Sequence, residues 1–183
     1  IKAPHIETDR LHLTWPSVNQ IEQYYLSITG TNMFETIVWE EPNNSKEIHD
    51  FWKAGMQNDP KQFNLDFNLA FITKKNNEYI GGGSLRPVDG DPSIIDIGFG
   101  LAPKHHGKGY ATESVGAMVD EAFRNRGAER IFANIFVGNE ASRKLVEKLG
   151  FLYEGTQRHA TLKRGKWLDQ WLMAITRPDW EKR

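Results

Sequence analysis

Residues 103–114 constrain this chain more than any other stretch. They read Pro-Lys-His-His-Gly-Lys-Gly-Tyr-Ala-Thr-Glu-Ser and join a strand expected over Ser93–Leu101 to an amphipathic helix. Small residues at Gly107, Gly109 and Ala111 let the backbone turn tightly and come close to a ligand. The first amides of a helix have no carbonyl partners, and the helix dipole adds partial positive charge there. Strand, glycine-rich turn and helix N-terminus together make a phosphate-binding device. Lys108 adds a full positive charge beside it.

Composition narrows the setting. A chain of 183 residues is expected to form one domain, residues 1–183, burying roughly 70% of its unfolded surface. A net charge of −1 gives no reason to expect nucleic acid or an anionic membrane as partner. The absence of cysteine excludes disulfides, thiolate metal sites and cysteine nucleophiles, and fits a reducing cytoplasmic interior. No apolar run approaches the ~20 residues of a membrane span, and no signal-peptide pattern opens the chain. Ile1 in place of Met leaves the expectation of a trimmed N-terminus.

Hydrophobic period sets the order of elements. Ile6–Thr14 alternates as one strand, and Ser17 with Gln20 forms a capping box before a stripe of Val18, Ile21, Tyr25 and Ile28. A second helix starts near Asn44 and is expected to bury Ile48, Phe51, Trp52 and Met56. The period then falls to two: Asn68–Thr73 and Tyr79–Val88 form a hairpin around Asn76-Asn77, and Ser93–Leu101 completes a meander. The helix after the glycine loop carries Ala111, Val115, Met118, Ala122 and Phe123 on one face. Arg130–Val137 reads as a strand and Asn139–Lys148 as a short helix stopped by Gly150. Phe151–His159 and Lys166–Ile175 close the chain as two strands. The expected fold class is α+β: a mostly antiparallel sheet of about seven strands with about four helices on its faces.

Four passages carry a family resemblance. These are Ile6–Leu13; His106-Gly107-Lys108-Gly109-Tyr110-Ala111 after its strand; Asn139-x-x-Ser142 with Glu147-Lys148-Leu149-Gly150-Phe151; and Glu154-Gly155 with Gly165-Lys166-Trp167-Leu168-Asp169. In this order they resemble the GNAT superfamily of acyl-CoA-dependent N-acetyltransferases, most closely its ribosomal-protein (RimJ/RimL-like) branch. The resemblance implies a GNAT fold whose two central strands, Ile94–Leu101 and Arg130–Val137, splay apart. Between them acetyl-CoA would enter as cosubstrate, with its pantetheine arm along Phe99 and Leu101. Its pyrophosphate would sit at His106, Gly107, Lys108, Gly109, Tyr110 and Ala111, with Asn139 hydrogen-bonded to the pantetheine arm and Ser142 close to the sulfur. Gly98 and Gly100 fit this, since glycines within a strand mark close approach.

Acetyl transfer needs a neutral amine, a polarised thioester and a proton donor for the departing sulfur. A backbone amide near Phe99 is placed to stabilise the developing oxyanion. Many relatives carry a tyrosine where this chain has Val146, so Ser142 is taken as the substitute acid. The base position matches Thr161, which leaves Asp96 first and His159 second. At pH 7 an α-amine needs about 3.4 kcal/mol less deprotonation than lysine, which favours a protein N-terminus as acceptor where the base is weak. Phe34, Trp39 and Glu40, in the loop after the first helix, are candidates to line the acceptor site, with Glu41 beside them. No metal is expected: His105 and His106 are adjacent, and spacing places no third ligand. Monomer and homodimer both remain open. The rivals are a small-amine acetyltransferase and a non-catalytic acyl-CoA-binding module. A Rossmann-type binder is disfavoured, because its glycine loop follows a first parallel strand.

Overall fold

The computed structural model describes residues 1–183 as one eight-stranded open sheet with helices on both faces. The elements run β1 (Ile6–Glu7), β2 (Leu11–Thr14), α1 (Val18–Ile28), α2 (Ser45–Gly55), β3 (Phe67–Thr73), β4 (Tyr79–Val88), β5 (Asp91–Leu101), α3 (Tyr110–Asn125), β6 (Arg130–Phe136), α4 (Glu140–Lys148), β7 (Leu152–Lys163), β8 (Lys166–Thr176) and α5 (Arg177–Glu181). The strand order is β1-β2-β3-β4-β5-β6-β8-β7, antiparallel except for β5 beside β6.

Eight strands and five helices replace the expected seven and four, for local reasons. The single strand read over Ile6–Thr14 is a hairpin, because Thr8 N–H donates to Leu11 O at 3.0 Å and folds β1 back on β2. Alternation survives the turn, since Ile6 faces Leu13 across the pair. The added helix, α5, opens on a capping box between Thr176 and Asp179.

Period two buries β3 on both faces. Leu69 and Phe71 join a core of 24 buried residues with Val115, Met118 and Phe123 of α3, Val146 of α4 and Leu149 just past its end. Ala70 and Ile72 meet Ile21, Tyr24, Ile28 and Trp52 of α1 and α2 in a second cluster of ten. Each fully buried large apolar side chain contributes roughly 1.5–3 kcal/mol. Two expected core faces shift: Tyr24 rather than Tyr25 is buried in α1, and Phe51 is exposed while Trp52 is buried in α2. Tyr24 stacks on Tyr79 at 3.9 Å, and Trp52 Nε1 donates to the Tyr79 hydroxyl at 3.2 Å, which seats both helices on β4.

The central pair positions the site. β5 and β6 pair only at Ile94–Asp96 against Arg130–Phe132, and from there they diverge. β4 meanwhile stays paired with β5 as far as Leu101. Ala102 N–H donates to Ile80 O in β4 at 2.8 Å, so strand alternation turns the N–H and C=O of Phe99 the other way, into the gap.

Candidate active site

The gap opens into two cavities that share a wall. The larger, about 930 Å³, runs from Phe99 and Leu101 past the glycine loop to α4. The smaller, about 260 Å³, holds Trp39, Arg86, Asp96, Asn134, Thr161 and Gln170. Thr36, Ile37, Phe99, Asn139 and Ser142 line both.

The floor of the larger cavity is the loop read first in the sequence. Gly107 and Gly109 sit at φ +74° and +79°, a left-handed backbone that favours glycine. None of the amides from Gly107 to Thr112 donates to a backbone carbonyl, because no carbonyl precedes the first turn of α3. The loop is held from behind. Arg10, the last residue of the β1–β2 turn, donates from Nη1 to Lys108 O at 2.8 Å and from Nε to Glu113 Oε2 at 2.7 Å. Its guanidinium lies 4.3 Å from the Tyr110 ring centre. Thr8 Oγ1 and the Arg10 amide both donate to Glu113 Oε1, at 2.6 and 2.7 Å. Burial pushes the Glu113 carboxyl up, but these hydrogen bonds outweigh it and hold the group below the usual range.

Leu101, His106, Gly107, Gly109, Tyr110 and Ala111 all face this cavity, as do Phe99, Asn139 and Ser142. His106 is turned back on β5, its Nε2 3.0 Å from Leu101 O. Lys108 is exposed and lines neither cavity; its carbonyl serves Arg10 instead. Two lysines that the sequence reading passed over, Lys144 and Lys148, stand one turn apart on α4 and line it too. Their i, i+4 spacing after Asn139 was the available signal.

At the shared wall Asn139 caps α4, accepting from Ser142 N–H at 3.2 Å, while its Nδ2 donates to Thr36 O at 3.2 Å. Ser142 is half-buried. Val146, one turn on, is fully buried in the core, so no side chain from that position reaches the cavity.

The smaller cavity differs from the sequence expectation in detail. Asp96 lines it, bound to Arg86, whose Nη2 and Nε donate to Asp96 Oδ2 at 3.0 and 3.3 Å. That leaves Oδ1 uncommitted. Gly98 makes room for the pair: a Cβ there would fall 2.8 Å from Arg86 Nη1. Gly100 lines the larger cavity, and a Cβ there would meet Met33 at 3.1 Å and Trp39 at 3.6 Å. Trp39 lines the smaller cavity, but Phe34 does not. A 3-10 turn over Met33–Glu35 buries Phe34 in the core between α1 and α2. Glu40 lies outside as well, paired with Lys163 at 3.1 Å and Arg164 at 3.4 Å. The Lys163 hydrogen bond above all holds the Glu40 carboxyl below its ordinary range. Lys163 also donates to Trp39 O at 3.1 Å, which ties this loop to the β7–β8 turn. His159 lies in neither cavity and stacks on Trp167. Thr161 accepts from Gln170 Nε2 at 2.7 Å, and both residues line the smaller cavity.

Residues 10–152 match the family model described as the Acetyltransferase (GNAT) domain. The chain belongs to the GNAT acetyltransferase family and is an acyltransferase enzyme. It is 31% identical over 132 residues to ribosomal protein uS5-alanine N-acetyltransferase of Escherichia coli (strain K12), covering 70% of this chain and 68% of that one. Against the uncharacterized N-acetyltransferase p20 of Bacillus licheniformis it is 27% identical over 151 residues, covering 78% and 85%. Its fold matches RimL, a ribosomal L7/L12 alpha-N-protein acetyltransferase solved in complex with coenzyme A, with TM-score 0.81, 17% identity and coverage of 94% and 98%. No helix is long and apolar enough to cross a membrane.

Proposed function

We propose that residues 1–183 act as one acetyltransferase domain that moves an acetyl group directly from acetyl-CoA to the α-amine of a protein or peptide. The observation that carries this is the junction of the two cavities at Phe99, Asn139 and Ser142. It gives a donor and an acceptor one place to meet. The larger cavity fits the donor by chemistry: free amides from Gly107 to Thr112 and two lysines suit its phosphates. The Phe99 carbonyl suits an N–H of its amide-bearing arm. When bound, the donor supplies an activated thioester.

The chain's own residues do the rest. The Phe99 N–H, turned into the gap, would meet the reacting carbonyl, where a fixed donor is worth most. Ser142 Oγ makes no hydrogen bond within the protein, so its proton is available to the departing sulfur. Asp96, oriented by Arg86, presents Oδ1 to the incoming amine and either accepts its proton or steers it. The smaller cavity, about 260 Å³, has room for the first residue of a chain with a free amine. A ribosomal protein, the acceptor named for the uS5-alanine N-acetyltransferase relative, would be met in the cytoplasm.

The test is thiol release from acetyl-CoA with peptides bearing free N-terminal Ala or Ser, against N-blocked peptides, lysine and polyamines. Turnover confined to the free N-termini is the expected result. Turnover only on small free amines removes the protein acceptor. Tight CoA binding without turnover on any amine removes the catalytic roles of Ser142 and Asp96.

A further inference from the structure

The N-terminal hairpin carries a cluster that the acetyltransferase reading does not use. Glu7 and His12 are direct cross-strand partners in the β1–β2 pair. His5 precedes Glu7 by two residues and so shares its face, while Leu11 and Leu13 of β2 point into the core, fully buried. His5 Nε2 lies 3.0 Å from Glu7 Oε1, and His12 Nδ1 lies 3.5 Å from the same oxygen. All three potential ligand atoms fall within 4.8 Å of one another. Lys74 sits 3.6 Å from the other carboxylate oxygen, Oε2, and so leaves Oε1 to the histidines.

A second observation is independent of that convergence. His12 Nδ1 is the only buried side-chain nitrogen or oxygen in the protein without a hydrogen-bond partner. Buried polar atoms are rarely left unpaired, and an exception calls for an explanation. Around a tetrahedral ion with ligands at ~2.0–2.2 Å, neighbouring ligand atoms stand about 3.4 Å apart, and two of these separations already match that spacing. Two imidazoles and one carboxylate, with no thiolate, suit a borderline divalent ion and leave a position open to water.

We propose that His5, Glu7 and His12 form a zinc-type divalent metal site that staples the irregular first residues onto β2. The site lies apart from both cavities, since none of its ligands lines either. It takes part in no chemical step. Its role is to fix the hairpin whose turn holds Thr8 and Arg10.

The experiment is titration of untagged, chelator-stripped protein with Zn²⁺ alone, by calorimetry and by competition with a chromophoric chelator. One ion per chain at micromolar concentrations is expected. His12→Ala and Glu7→Gln should each weaken binding at least tenfold, with His5→Ala as a third probe. Zinc at about a hundredfold excess over its Kd should raise the melting temperature of the wild type but not of His12→Ala. The chain has six histidines, so uptake that all three substitutions leave unchanged places the ion elsewhere and overturns the proposal. Absence of uptake at micromolar zinc overturns it as well. Glu7→Gln removes a surface carboxylate without creating a core cavity, so the test survives if a histidine variant folds poorly.

Discussion

Arg10→Ala tests whether stability and cofactor binding are coupled through the glycine loop. The change removes one charge-assisted bond to Glu113, one bond to Lys108 O and a guanidinium lying against Tyr110. A buried hydrogen bond to a charged group is worth about 1.5–3 kcal/mol, but an exposed ion pair only ~0–1. The Arg10 side chain is 44% exposed and that of Glu113 18%, so the total discounts to about 1–2 kcal/mol. In a domain of this size that corresponds to a fall in melting temperature of roughly 2–8 °C. Because two of the lost contacts hold the loop and the start of α3, the same energy sets how often the amides stand open. A loss of about 1.4 kcal/mol lowers the binding-competent fraction by up to tenfold. The KM for acetyl-CoA should therefore rise by up to about tenfold with kcat nearly unchanged. Calorimetry with CoA checks that KM follows affinity. Arg10→Lys should recover little, since an ammonium lacks the fork that reaches Glu113 and Lys108 O together. A lower melting temperature with unaltered CoA affinity would show that the contact braces the fold and leaves the loop to itself.

Three further perturbations test other parts of the reading. Ser142→Ala should lower kcat about a hundredfold at constant KM for acetyl-CoA, and an undiminished kcat removes Ser142 as proton donor. Asn139→Asp should keep the α4 cap and the melting temperature, because Asp caps as well as Asn. It loses the donor to Thr36 O, so the acceptor KM should rise; a fall in stability alone would mean that this bond braces the fold and not the acceptor wall. The Glu113 carboxyl is held low in the fold, so its contribution is fully present above the unfolded value near 4.5 and is lost as pH falls through the lower folded value. Urea midpoints of wild type and Glu113→Gln should accordingly diverge above pH 4.5 and converge below it, and parallel curves would refute the assignment.

Local chemistry was legible in the sequence; register was not. The Ser17–Gln20 box, the helix starts near Asn44 and Asn139 and the Gly150 stop all act within a turn of their own residues, and the structure has each of them. Ile6–Thr14 was misread because a turn without Gly or Pro joins two stretches of the same period. Phe34 was misread because an aromatic side chain in a loop looks available, whereas the Met33–Glu35 turn folds it inward. Arg86 became visible only once the β4–β5 register set it opposite Asp96. Arg10 and Glu113 are 103 residues apart, and no pattern along the chain connects them. The Glu7–His12 pair was hidden for the same reason, since it exists only after the hairpin closes.

The short pairing of β5 with β6 explains why these pieces converge. Three residues of parallel ladder are enough to fix the two strands side by side at one end. At the other end β5 stays bonded to β4, while β6 continues its ladder with β8 out to Phe136 against Gln170. Each strand is thus held by its outer neighbour, and neither can close the gap without breaking that ladder. The N–H and C=O of Phe99 remain turned toward an open cavity, the one free to donate to a ligand's carbonyl and the other to accept from its amide. The same divergence sets β6 and the cap of α4 across from β5, which brings Ser142 to the wall common to both cavities. Donor grip and acceptor access therefore share one structural cause: a ladder that stops at Asp96.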